Sequence, residues 1–149
     1  MEGFWEGIFR NKAFWVTNLS WVVAQSLKII IGLFREKKFN FNWLLRTGGM
    51  PSAHSAAVVA LAFSLGKELG FSSPFFALAG FFALITMFDA QTWRRSIGVQ
   101  AHILNRIMDD LHSRKKIRDD RLKELAGHTP TEVFAGALVG VLIVLMMYR

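Results

Sequence analysis

Two histidines stand where they could do chemistry. His54 follows Gly48-Gly49-Met50-Pro51-Ser52-Ala53, and His128 lies in Gly127-His128-Thr129-Pro130-Thr131-Glu132. Each begins an apolar stretch, where a helix would offer free backbone N–H groups. Arg and Lys beside helix N-termini make an anion site, above all for phosphate. Arg94 and Arg95, with Asp89 just before them, close a third apolar stretch. Gly48 and Gly49 let the backbone come close to an anion. One His can attack phosphorus while a second protonates the leaving oxygen. His128 and Glu132 are i and i+4, a spacing that shares one helical face, and a carboxylate there can orient the imidazole and stabilise its charged form. Zinc is the weaker reading of the same residues. His54, His128 and Glu132 could supply three ligands, but no H-E-x-x-H or comparable spacing is present.

The elements that must position these residues are apolar. The chain has 149 residues, 52% hydrophobic and only 19% charged, with 14 Phe, 5 Trp and no Cys. Its length allows one domain, 1–149. Disorder and a fibrous protein are excluded by the apolar content, and a disulfide scaffold or Cys-ligated metal by the lack of Cys. A span needs roughly 20 apolar residues, and four stretches qualify: 15–34, 50–69, 74–93 and 131–148. The expected fold is an all-α integral membrane bundle of about four transmembrane helices. The N-terminal segment 1–13 sets Phe4, Trp5, Ile8 and Phe9 between charges and suits a short interfacial helix. The first apolar run starts too late and is too long for a signal peptide. Residues 96–128 form a basic arm. Its first half repeats apolar residues at Ile97, Ala101, Leu104, Met108 and Leu111, which predicts an amphipathic helix.

Net charge is +7, from 18 Lys and Arg against 11 Asp and Glu. With four spans, the two long connections fall on one side and hold 13 of the 18 basic residues. The positive-inside rule then puts both connections in the cytoplasm and both termini outside. His54, Asp89, Arg94, Arg95, His128 and Glu132 all fall at that cytoplasmic face. Ionisable residues at span edges are costly and therefore functional candidates. Nucleic acid is not an expected partner, because the basic residues border spans and no aromatic-basic binding module is present.

The two His segments resemble motifs of the type 2 phosphatidic acid phosphatase superfamily. Gly48-Gly49-Met50-Pro51-Ser52-Ala53-His54-Ser55-Ala56 is similar to its P-S-x-H motif, and Gly127 to Val133 to its third motif, H-x-x-x-D. From about Trp15 onward, including Phe88-Asp89-Ala90 through Arg94-Arg95, the chain resembles the divergent branch of that superfamily. The resemblance implies a membrane-embedded phosphatase acting on a lipid phosphate or diphosphate, without metal or cofactor. It implies His128 as the nucleophile forming a phosphohistidine, Glu132 in the place of the family's Asp, and His54 as general acid. Ser52 and nearby backbone N–H groups, Gly49 among them, would hold phosphate oxygens. The family's first motif, K-x6-R-P, has its nearest counterpart in Lys38 and Arg46, with seven residues between and Thr47 in place of Pro. The Arg six residues before the third-motif His is here Leu122, so Lys123 or the Arg94–Arg95 pair would take its part.

Two other classes compete. A non-catalytic binder or carrier of phosphorylated lipid would keep the pocket and lack the chemistry. A purely structural membrane protein would scatter its polar residues, whereas these converge on one face. Gly136 and Gly140 form G-x-x-x-G, and Ser52, Ala56 and Ala60 form a second small-residue stripe. Such stripes allow close helix contact, within one bundle or in a homo-oligomer.

Overall fold

The structure is a computed structural model that describes residues 3–36, 49–112 and 128–149. The basic loop before Gly49 and the second half of the arm, with Lys38, Arg46 and Lys123, lie outside the described residues. Five helices are present in this part: α1 (Phe4–Arg10), α2 (Lys12–Glu36), α3 (Ala53–Leu69), α4 (Pro74–His112) and α5 (Pro130–Met147). No strand occurs among the described residues. Within α2, α4 and α5, residues 12–34, 74–92 and 130–147 are long and apolar enough to cross a membrane. The chain is an all-α, multi-pass membrane bundle.

Large apolar side chains point outward. Phe75, Leu78, Phe81, Phe82, Ile85 and Phe88 of α4 are exposed, as are Phe134, Leu138, Leu142 and Leu145 of α5. The buried positions are small: Ala53, Ala56, Ala60, Ala62, Ala79, Ala83, Ala90, Gly136 and Gly140. A water-soluble fold buries its bulk and exposes its polar groups. Here lipid solvates the bulk, and small residues let the helices meet. Hydroxyls within the helices are satisfied locally. Ser20, Thr86, Thr92 and Ser96 each donate to the carbonyl four residues before. Such bonds keep a polar group tolerable in hydrocarbon.

Helix α3 is the axis of the bundle and packs on α2, α4 and α5. Its two ends are defined by chemistry. Ser52 caps the start, its Oγ accepting from the Ser55 amide. After Leu69 the chain turns at Gly70 (φ +87°), and Ser73 Oγ accepts from the Phe76 amide to start α4. Phe63, Phe71 and Phe76 close this turn with edge-on ring contacts.

The closest helix contact is between α3 and α5. A Cβ built on Gly136 would lie 2.2 Å from the Ser52 carbonyl oxygen, and one on Gly140 would lie 2.4 Å from that of Ala56. Both obstacles are backbone, which cannot rotate away. The G-x-x-x-G stripe is thus occupied inside the chain by the Ser52–Ala56–Ala60 stripe, and these glycines are not free to build a seam with a second copy. Gly140→Ala should force the two helices apart. Overpacking of this kind costs roughly 1–3 kcal/mol, read as a lowered thermal midpoint in detergent. An unchanged midpoint would show that α5 does not dock on α3 at this distance.

Two expectations about local structure need correction. The segment after 93 does not begin a separate arm helix. Helix α4 runs unbroken for 39 residues from Pro74 to His112, so the amphipathic stretch continues the third apolar helix. Ala101 and Asn105 on this extension are buried. Second, His128 and Glu132 do not share a helical face, because α5 begins only at Pro130 and His128 precedes its cap. They meet for another reason.

Candidate functional site

That reason is the capping box of α5. Thr129 is the N-cap, Pro130 follows it, and Glu132 is the third helical residue. Thr129 Oγ1 accepts from the Glu132 amide, while Glu132 Oε2 accepts from the Thr129 amide at 3.1 Å. This reciprocal pairing satisfies two of the donors that a helix start leaves open. It also folds the Glu132 carboxylate back over the helix start, where Oε2 meets His128 Nδ1 at 3.0 Å. An ionised carboxylate only accepts, so Nδ1 carries the hydrogen. In the neutral ring Nε2 then holds the lone pair.

The other segments converge on this one. The Ser52 amide donates to the Glu132 carbonyl at 3.0 Å, and the His128 amide donates to the Ala90 carbonyl at 3.1 Å. The starts of α3 and α5 are therefore hydrogen-bonded to each other, and His128 is tied to α4. The His54 and His128 ring centroids are 6.5 Å apart. The His128 side chain is only 1% exposed, that of Glu132 is 19% exposed, and His54 is open to the surface. The pair thus has an accessible and an enclosed member.

Other sequence-predicted residues divide. Ser52 is fully buried, its amide is committed to Glu132, and its Oγ accepts from the Ser55 amide. Its hydroxyl hydrogen is the donor left for a ligand. Gly49 sits at φ +92°, two residues before a cis Met50–Pro51 bond, and a side chain there would be strained. Asp89 is exposed, and its neighbour Ala90 is the residue that meets His128. Arg94 and Arg95 lie on α4 beyond Ala90, and their side chains fall outside the described residues. Among the described residues no group of three His, Asp or Glu side chains is arranged to hold a metal ion.

Lys28 is the residue that sequence reasoning passed over. It lies inside the α2 span, yet its aliphatic stem is the nearest group to Gly49, 3.5 Å from a Cβ built there. Its ammonium acts electrostatically on Glu132. The signal was available, since a lysine within a span is costly and marks a functional position by default. About eight residues from the helix end, its long stem can carry the charge toward the polar face.

An all-α membrane bundle with two helix-start motifs, each carrying a His, defines the class. A family model described as "Divergent PAP2 family" matches residues 9–143, and the chain belongs to that family. It is 39% identical over 137 residues to a Bacillus subtilis (strain 168) protein named "Uncharacterized membrane protein YuiD", covering 85% of this chain and 87% of that one. No solved structure matches the chain.

Proposed function

We propose that this protein is a membrane-embedded phosphatase that hydrolyses a lipid phosphate or diphosphate through a phosphohistidine on His128. The observation that carries this reading is the 3.0 Å contact of His128 Nδ1 with Glu132, with the His54 ring 6.5 Å away. Nε2 attacks phosphorus, an N–P bond forms, and the bond from phosphorus to the lipid oxygen breaks. Protonated His54 gives its proton to that leaving oxygen. Water then attacks the phosphohistidine, neutral His54 takes a water proton, and the N–P bond breaks to release phosphate. Glu132 offsets the positive charge that grows on the ring during attack. Lys28 supplies a cation beside the same carboxylate and the Gly49 backbone. With the side chains of Arg94, Arg95, Arg46, Lys38 and Lys123, the Ser52 hydroxyl and the Gly49 backbone, it makes up the phosphate-binding set. The enclosure of His128 requires the site to open before phosphate reaches Nε2, and the same enclosure strengthens electrostatic contacts once it has closed.

The test is orthophosphate release by purified protein from a panel of lipid monophosphates and diphosphates, beside His128→Ala. Release by wild type alone supports the reading. No release from any member, with orthovanadate still bound by the wild type, favours the alternative of a non-catalytic binder or carrier of phosphorylated lipid.

For topology, we infer four crossings, with α3 as the fourth. Its 17 residues rise about 26 Å, the lower limit for a hydrocarbon core near 30 Å. The His face is then cytoplasmic, since 13 of 18 basic residues lie in its two connections. The chain has no Cys, so single cysteines report cleanly. A membrane-impermeant thiol reagent on intact cells should label a cysteine at Arg149 and spare one at Ser113. The reverse pattern puts the site outside, and equal labelling rejects the four-crossing count.

A further inference from the structure

The end of the bundle opposite His128 carries a second polar cluster. The break between α1 and α2 falls at Asn11, whose Oδ1 accepts from the Phe14 amide and starts α2. Between this break and the last turns of α3 lies a cavity of about 560 Å³. Its rim holds Arg10, Lys12 and Glu68, and its wall is Phe14, Leu61 and Leu65. Lys12 begins the first span and Glu68 ends α3, so the cavity lies at the membrane–water boundary. The exposed Phe4, Trp5, Phe9 and Trp15 beside it suit that depth.

The charges at the rim are held in place. Tyr148 OH donates to Glu68 Oε1 at 2.5 Å, and Lys12 Nζ sits 4.2 Å over the Tyr148 ring. Burial and the Glu68 contact push the Tyr148 phenol up to about 12, so it keeps its proton and remains the donor. Glu68 thus has a partner, Lys12 is fixed by a cation–π contact, and Arg10 meets only the exposed Glu6 at 3.5 Å. Such an exposed pair holds an arginine weakly. Two cations and one engaged carboxylate leave a rim that is cationic by one charge, above an apolar wall.

We propose that this cavity binds an anionic glycerophospholipid, with its phosphodiester at Arg10 and Lys12 and the start of an acyl chain along Phe14, Leu61 and Leu65. The net charge of the rim complements one phosphodiester. A zwitterionic lipid would bring a second cation to a rim already positive. A volume of this size holds a headgroup and the first part of its chains. The lipid is a bound companion of the fold, since it sits at the end of the bundle away from His128.

Native mass spectrometry of the purified full-length chain in detergent tests this directly. The probes are dioctanoyl phosphatidylglycerol, dioctanoyl phosphatidylcholine and glycerol 3-phosphate. Phosphatidylglycerol should be retained about tenfold or more over phosphatidylcholine, as expected of two basic groups at a membrane surface. The double substitution Arg10→Gln, Lys12→Gln should reduce its retention to the phosphatidylcholine level. Leu65→Asn, which leaves the charges and the Tyr148 contacts intact, should also weaken it, with helical content unchanged by circular dichroism. His128→Ala should leave it unaltered. Equal retention of the two lipids, undiminished retention by the double variant, or glycerol 3-phosphate held as tightly as phosphatidylglycerol would each overturn the proposal.

Discussion

Replacement of His128 by Ala is expected to abolish orthophosphate release, because no other group at the site can form the covalent intermediate. The geometry sets what the neighbouring variants should do. His54→Ala leaves nucleophile and orienting carboxylate in place and removes only the proton donor. The expected loss is roughly 10²–10⁴-fold, the range for general acid catalysis. It should be smallest for a diphosphate, whose leaving group is itself a phosphate and needs protonation least. Glu132→Gln is the more diagnostic change. A glutamine can still cap Thr129, but its amide can present N–H to Nδ1 and turn the ring to the tautomer with hydrogen on Nε2. A wrong tautomer of this kind costs about 10⁴-fold in a serine triad. Glu132→Asp, whose shorter side chain tests reach, should retain more activity than Gln. Full release by His128→Ala would reject the mechanism. Release lost in Glu132→Gln together with a large drop in thermal midpoint would assign Glu132 to the cap alone.

Much of this arrangement was legible in the residues, and the failures have physical causes. The apolar stretches announced the spans because hydrocarbon thickness imposes a length that hydropathy can count. The end of a span and the end of a helix are different events, however. Arg94, Arg95 and Ser96 end the apolar run without supplying a Pro or a left-handed turn, so nothing stops the backbone and α4 continues to His112. The proximity of His128 and Glu132 was foreseen on a helical-face argument that does not apply. The signature Thr129-Pro130-Thr131-Glu132 does apply, since Thr at the cap with Glu three residues on folds the carboxylate back toward whatever precedes the helix.

Small-residue stripes posed a different problem. Ser52, Ala56 and Ala60 match Gly136 and Gly140 in spacing, but such a stripe packs equally well on its own chain or on a second copy. Only the backbone contacts of Gly136 with Ser52 and of Gly140 with Ala56 decide it. They also show why the helix starts meet: the glycines bring α5 onto α3 in the register that places the Ser52 amide on the Glu132 carbonyl. Packing deep in the bundle and geometry at the His face are therefore one arrangement.

Lys28→Met should cost on the order of 10²–10³ in kcat/KM, comparable to the loss of one preorganised donor from an oxyanion site. Methionine keeps an unbranched stem against Gly49 and removes only the charge, so α2 should pack as before. The argument for a large effect is electrostatic. Around a closed site the surroundings are apolar, and a single cation beside an incoming phosphate acts with little screening. An isolated ammonium in a span is costly, by about 2.5–3.5 kcal/mol on insertion scales, and Glu132 offsets part of that cost in the empty site. When phosphate arrives, the lysine has a second anion to meet. If it binds phosphate, KM and the affinity for orthovanadate should weaken together with kcat/KM. If Lys28 only balances Glu132, kcat should fall while vanadate affinity stays at the wild-type level, because the ring would be misoriented but the pocket intact. Kinetics and vanadate affinity both unchanged would leave Lys28 no part in the site. Lys28→Arg sharpens the distinction. It restores the charge, but its planar fork has to fit where a slim stem now passes Gly49. Vanadate affinity should therefore recover further than kcat.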